Sequence, residues 1–332
     1  MVSEARRCVQ RSDAGNMKVA ATRSRRCAAR AAPPTMDAPS MNQPPAPTQR
    51  VSAIPFPESY RLPRVEGEAV TVQDAFRQTY FLLGDDLRLF EEGMNLQLRI
   101  VRDASPSAFR KHPYAALMGL WSRAFVALAD GCLLAVRGSY ASCPVLARVG
   151  CECIAAQHQL HAAEIDLFLE WLSGNLRPNA AHKAFEFGMG RYFAGETLAA
   201  DERLRAVYRP ASELGRPSFG ATLLAVGPES NNQRLALSFA DSAFHLGWSE
   251  LVLGWLLSLC ERQLAVAVHA KGVFPIHDDT HRAYADFARQ VEASLSRADR
   301  CRIDEIEEDN HKRYLVSNFR RAPSGTPKKI LL

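Results

Sequence analysis

The sequence holds no Cys-x-x-Cys pair, no Gly-x-Gly-x-x-Gly turn, no Gly-x-x-x-x-Gly-Lys-Ser/Thr loop and no Gly-x-Ser-x-Gly elbow. Those absences set aside paired-thiol motifs, dinucleotide and Walker-type phosphate loops, and the α/β-hydrolase nucleophile. The arginine-rich start has no apolar core of the kind a secretory leader carries. The two most apolar runs are each interrupted by charge, Arg123 and Asp130 in the first, Glu250 and Glu261 around LVLGWLLSLC in the second. Neither supplies the ~20 uninterrupted apolar residues of a membrane span. The chain therefore reads as soluble and cytoplasmic, without a membrane partner.

Strong charge is missing from the body as well. The net charge is +5, but residues 1–50 carry nine Lys/Arg against three Asp/Glu, and residues 318–332 carry four Lys/Arg and no acid. The remainder is left at −5. Basicity belongs to the two ends, which argues against a broad phosphate-binding face on the folded part. Eight cysteines stand at positions 8, 27, 132, 143, 151, 153, 260 and 301, six of them in apolar or helical stretches. In a chain of this length that pattern predicts reduced thiols.

What is present is an apolar fraction of 47% laid out mostly with helical period. Residues 1–55, rich in Ala, Arg, Pro and Ser, carry no periodic stripe and predict a disordered segment. Residues 318–332 predict a flexible basic tail. Between them, residues 56–317 predict an all-α, single-domain bundle of five to eight helices. A first stripe runs from Val72 to Val101. Pro113 suits the first turn of a second helix whose buried stripe includes Tyr114, Leu117, Trp121, Phe125 and Leu128, with Arg123, Asp130 and Arg137 opposite, and Gly138 ends it. A third helix is expected from about Tyr140 to Trp171, with shorter ones over Ala180–Tyr192 and Asp201–Tyr208. RPSFGATLLAVGPESNNQ reads as a loop with a short extended segment. A long amphipathic helix is expected from about Arg234 to His269, and a last one from near His277.

The densest chemistry lies in LARVGCECIAAQHQLH, Leu146–His161. On a helix Cys151 and Cys153 point about 160° apart, so they do not share a metal ion and read as core residues. His158 and His161 share a side with Cys151 and Ile154; His161 is placed either to pair with Glu164 or to serve as a ligand, and both are expected to be core histidines satisfied by a hydrogen bond. A di-iron bundle needs two Glu-x-x-His motifs; the body has one, Glu308 to His311, in a charged stretch. Arg148 and Glu152, four apart, form an intrahelical pair. Arg148, Glu152, His158 and His161 are the candidate binding residues.

LARVGCE, preceded by RGSYASCPV, resembles the leucine-arginine…leucine-glutamate helix of an uncharacterised family of all-helical bacterial proteins, over about residues 110–270. The resemblance implies that Arg148 and Glu152 face between helices as a site or a pin. It brings no assigned reaction. The chain departs from that pattern at YRPASELGRPS, residues 208–218, where the family shows Tyr, Ser and then a His that is missing here. RQLAVAVH, Arg262–His269, matches the Arg-x(4–6)-His spacing of HEPN-type ribonucleases. That resemblance implies that Arg262 binds the scissile phosphate and His269 assists attack by the 2′-hydroxyl. Seven residues of helix separate the two by ~10.5 Å along the axis, and the same face holds Trp248, Val252, Trp255 and Leu259. In IHDDTH, His277, Asp278 and His281 have the types of metal ligands, but acids and a Thr ahead of an amphipathic run predict a helix start.

Two readings follow: a non-enzymatic binding or interaction module, and, as the alternative, a metal-independent HEPN-like ribonuclease using Arg262 and His269. No cofactor or metal is expected. The expected partner is a second copy through an apolar helix face, and nucleic acid enters only under the alternative.

Overall fold

The computed structural model describes residues 57–104, 112–162, 176–187, 194–227, 230, 233–270, 274–308, 311–320 and 329–332. The disorder expected of residues 1–55 falls outside them. Among the described residues the fold is an all-α bundle with small β additions. Its helices are α1 (Val70–Ala104), α2 (His112–Val136), α3 (Cys143–Ala162), α4 (Gly195–Ala200), α5 (Glu202–Leu214), α6 (Phe219–Val226), α7 (Leu246–His269) and α8 (Asp278–Leu295).

α7 is the axis of the bundle. α1, α2, α3, α5 and α8 all pack on it, and α2 lies along α3. It is apolar on nearly every side, as a helix surrounded by others must be. Two helices are long and apolar enough to cross a membrane by length and composition, residues Leu117–Val136 of α2 and the whole of α7, once a few charges are admitted. For α7 the apolarity has another cause, since 94% of its most apolar 18-residue stretch lies buried inside the bundle. Its N-terminus is fixed by His245, whose Nδ1 accepts from the Trp248 amide at 3.2 Å. The residues before it, expected to be helical from Arg234, are not: Leu235, Leu237 and Phe239 stand exposed on an irregular segment.

Local signals explain the other ends. Asp201 caps α5 by accepting from the Leu204 amide at 2.9 Å, and Ser218 caps α6 through the Ala221 amide. The stretch read as a loop thus contains a two-turn helix, started by a serine cap that the neighbouring Pro and Gly obscured. α2 stops in a Schellman turn: Gly138 N bonds Ala135 O at 3.1 Å and Ser139 N bonds Leu134 O at 2.9 Å, with Gly138 at φ +74°. α8 opens at His277 with Asp278 and Asp279 in its first turn, where carboxylates offset the helix dipole.

Two β-hairpins replace structure expected elsewhere. β1 (Leu176–Asn179) and β2 (Ala184–Phe187) pair antiparallel where a helix over Ala180–Tyr192 was expected. Lys183 at φ 48° makes the tight turn. β3 (Arg302–Glu308), β4 (His311–Ser317) and β5 (Ile330–Leu331) form a sheet in that order. The lone Glu-x-x-His motif is the closing pair of this hairpin, with Glu308 opposite His311. The end of the expected flexible tail is held: Tyr314 and Leu332 exchange backbone hydrogen bonds at 3.1 and 2.9 Å, and Gly247 N donates to Arg320 O at 2.7 Å.

A buried polar knot fastens this sheet to the bundle. Arg300 lies 2.7 Å from Asp86 of α1, donates to the Glu250 carbonyl of α7 at 3.0 Å and reaches Ser294 of α8 at 2.9 Å. Glu250 in turn accepts from the Cys301 amide at 3.0 Å, and burial pushes its carboxyl above the usual range.

Candidate functional site

A cleft of about 410 Å³ opens where α3, α4, α5 and α7 meet, lined by His158, Gln159, Glu196, Thr197, Ala200, Asp201 and Arg262. Each wall follows from a local rule. α3 carries His158 and Gln159 on the turn above its core residue Ile154. Asp201 is there because it caps α5, and its second carboxylate oxygen is then free to sit 2.5 Å from Arg262 Nε of α7. Thr197 of α4 donates from its hydroxyl to Gln159 Oε1 at 2.8 Å, tying that helix to α3.

Beneath the cleft, α3 and α7 are bridged by two fully buried amides. Gln263 Nε2 donates to Gln157 Oε1 at 2.5 Å. Gln157 and Gln263 each directly precede or follow a cleft residue in sequence, so this pair fixes the register that brings His158 opposite Arg262. Gln157 Nε2 and Gln263 Oε1 have no further partner among the described residues.

The histidines are the unusual feature. Both were expected to be satisfied by hydrogen bonds, yet His158 Nδ1 and His161 Nε2 are buried with no partner among the described residues. Glu164, the candidate partner for His161, lies outside those residues. His161 instead meets Phe274 edge-on, ring centroids 5.8 Å apart. Burial, and then the charge of Arg262, lower the His158 pKa, with Asp201 opposing. Burial, and then the neighbouring His158, bring His161 from 6.5 to about 4. Both rings are neutral at physiological pH, each offering an acceptor as well as a donor.

This has a consequence for stability. Below pH 6.5 the unfolded chain protonates at His161, whereas the folded chain resists until about pH 4. The unfolded state binds more protons across that window, so stability falls as the pH drops through it and levels off below. Urea melts of the wild type and His161→Phe, compared along the same pH series, should show the wild type losing the larger share.

The other candidates are placed apart. Arg148 and Glu152 pair at 3.1 Å on a half-exposed face of α3, with the Arg148 guanidinium 5.8 Å over the Tyr208 ring of α5. That is a surface pair worth a few tenths of a kcal/mol with a modest cation–π contact added. His269 lies at the far end of α7, its Nδ1 on the Ala265 carbonyl at 2.8 Å and its ring edge-on to Tyr284. Arg262 is thus brought to His158 across two helices, while its contact partner is Asp201, not His269.

Burial pushes the thiols of Cys132, Cys143, Cys151, Cys153, Cys260 and Cys301 above their usual range, those of Cys132 and Cys260 to about 12. These are packing residues, protonated and shielded, not nucleophiles. Among the described residues no three of His, Cys, Asp and Glu gather closely enough to hold a metal ion. Comparison with known proteins gives no matching family, no matching curated protein and no matching solved structure.

Proposed function

We propose that this chain is a non-enzymatic binding module whose α3–α4–α5–α7 cleft takes a small amine or amide, a ligand that donates hydrogen bonds. The observation that carries this reading is the pair of neutral imidazoles with unanswered ring nitrogens at and beside the cleft wall. A buried polar atom left without a partner costs about 1–3 kcal/mol, and a donor from a ligand would remove that cost. The remaining wall favours the same ligand chemistry. Arg262 is neutralised by Asp201, while Glu196 is exposed and adds a carboxylate to the rim. Asp201 and Glu196 therefore place two carboxylates around the cleft against the single guanidinium of Arg262.

The ribonuclease reading of Arg262 and His269 draws less support. A phosphate at Arg262 would sit beside the Asp201 carboxylate, which repels it, and Asp201 is held in place as the cap of α5. His269 meanwhile bonds its own helix a further two turns along. The two readings separate on two probes, putrescine and inorganic phosphate. At ~100 times its dissociation constant a specific ligand raises the melting temperature of a domain this size by about 5–10 °C. Putrescine is expected to do so for the wild type and to lose the effect in His158→Ala. A shift with phosphate alone, or an equal putrescine shift in His158→Ala, sinks the proposal.

A further inference from the structure

α2 keeps one face in solvent. Gly119, Ser122, Arg123, Val126 and Asp130 are exposed on it, and Leu120, Leu133 and Leu134 are half-buried at its edges. Steps of three and four place these residues along one side of the helix. Toward its C-terminal end the face continues into an apolar cleft of about 440 Å³ shared with α3, lined by Asp130, Leu133, Leu134, Ser142, Val145 and Leu146. Val145 in the cleft wall and Val126 on the face leading to it are 47% and 51% exposed.

Three charges recur at intervals of seven along this helix and its end. The third, Arg137, is paired with Glu68. Arg123 and Asp130 have no ion-pair partner among the described residues. Two opposite charges two turns apart on a partly apolar helix face are complementary to the same face turned end for end. A two-fold axis passing beside Val126 and Ala127 sets Arg123 over the partner's Asp130 and Asp130 over the partner's Arg123. It also sets Leu120 against the partner's Leu133 and Gly119 against the partner's Leu134. Small residues at 119 and 122 let the two helices approach closely. A parallel pairing would oppose Arg123 to its own copy, so charge selects the antiparallel one.

We propose that this α2 face is the interface of a two-fold symmetric homodimer, with the Arg123–Asp130 pair made twice. A lipid surface suits the face less well, because Arg123 and Asp130 would enter the apolar phase without partners.

Sedimentation equilibrium on the full chain tests this with Arg123→Asp, Asp130→Arg and the double reversal. The wild type is expected to dimerise. Each single reversal brings like charges together at both symmetric contacts and should raise the dissociation constant on the order of 100-fold. The double reversal rebuilds both pairs with roles exchanged and should return to within about tenfold of the wild type. Both side chains are exposed, so unchanged far-ultraviolet circular dichroism is expected throughout. The proposal is overturned by a wild type that stays monomeric, by a dimer indifferent to the single reversals, or by a double reversal no better than either single. Monomeric binding to phosphatidylcholine–phosphatidylglycerol vesicles would overturn it in favour of a membrane.

Discussion

Replacing Arg300 with methionine should cost about 3–5 kcal/mol, the range found when one partner of a buried ion pair is removed. The size follows from what is left behind. Arg300 and Asp86 are 4% and 3% exposed, and their 2.7 Å contact links the segment before β3 to α1. Asp86 keeps only the Ser294 hydroxyl, which donates to it at 2.6 Å, and a buried carboxylate with one neutral partner is strongly disfavoured. The Glu250 carbonyl of α7 loses its guanidinium donor at the same time. The guanidinium also lies against Gly254, where a Cβ would meet its Nε at 3.2 Å; the glycine makes room for the ion. The double variant Asp86→Leu/Arg300→Met carries neither charge and should recover more than half of the loss, since two well-packed apolar groups substitute for a buried pair at little cost. Urea unfolding of the four proteins gives the cycle. A single-variant loss below about 1 kcal/mol would place this pair with ordinary surface bridges and contradict the account.

Gly138→Ala should lose about 2–4 kcal/mol, combining a left-handed backbone with a steric collision. At φ +74° the residue ends α2 in its Schellman turn, and an added Cβ would run into the Ser242 carbonyl. Ser242 stands just ahead of the start of α7, so the clash would press on the loop that sets its N-terminus. Gly67 provides the control. It has φ +83°, but nothing lies within 4 Å of the position a Cβ would take. Gly67→Ala should therefore lose only about 1 kcal/mol, the backbone part alone. Equal losses at the two positions would show that conformation, not the close approach, governs both.

The helices that were legible in the sequence are those whose apolar stripe and end signals coincide. α2 and α8 have both, with an expected stop at Gly138 and an expected start near His277; α1 was read from its stripe alone, from Val72, and α5 as a short piece from Asp201. α7 was legible in its body but not in its beginning. Leu235, Leu237 and Phe239 continue its apolar content ahead of the helix, yet they lie on its exposed approach, and content without burial cannot be read from one sequence. The β3–β4 hairpin was hidden for another reason. Its strands are joined by their backbone ladder and carry charge pairs such as Lys312–Glu305 at 2.8 Å and Arg313–Glu308 at 3.1 Å on exposed or half-exposed positions, so they show little of the apolar alternation by which strands are recognised.

The site divides along the same line. His158 and His161 stood out as residue types on an apolar helix, and Arg262 stood out through its spacing to His269. Asp201 was visible as a helix start and nothing more. That its second oxygen meets Arg262, and that Gln157 meets Gln263, depends on how α3, α5 and α7 pack, a tertiary fact with no local signature. A glutamine inside an otherwise apolar stripe was the one available sign, and it occurs in both helices.

The central claim, that the cleft binds a hydrogen-bond donor through its neutral histidines, is tested most directly by following the ring-proton NMR signals of His158 and His161 in the full chain at neutral pH. Titrating putrescine into the wild type should move both sets of signals saturably while inorganic phosphate leaves them in place. Signals that respond to phosphate and not to the amine, or to neither, would contradict the account.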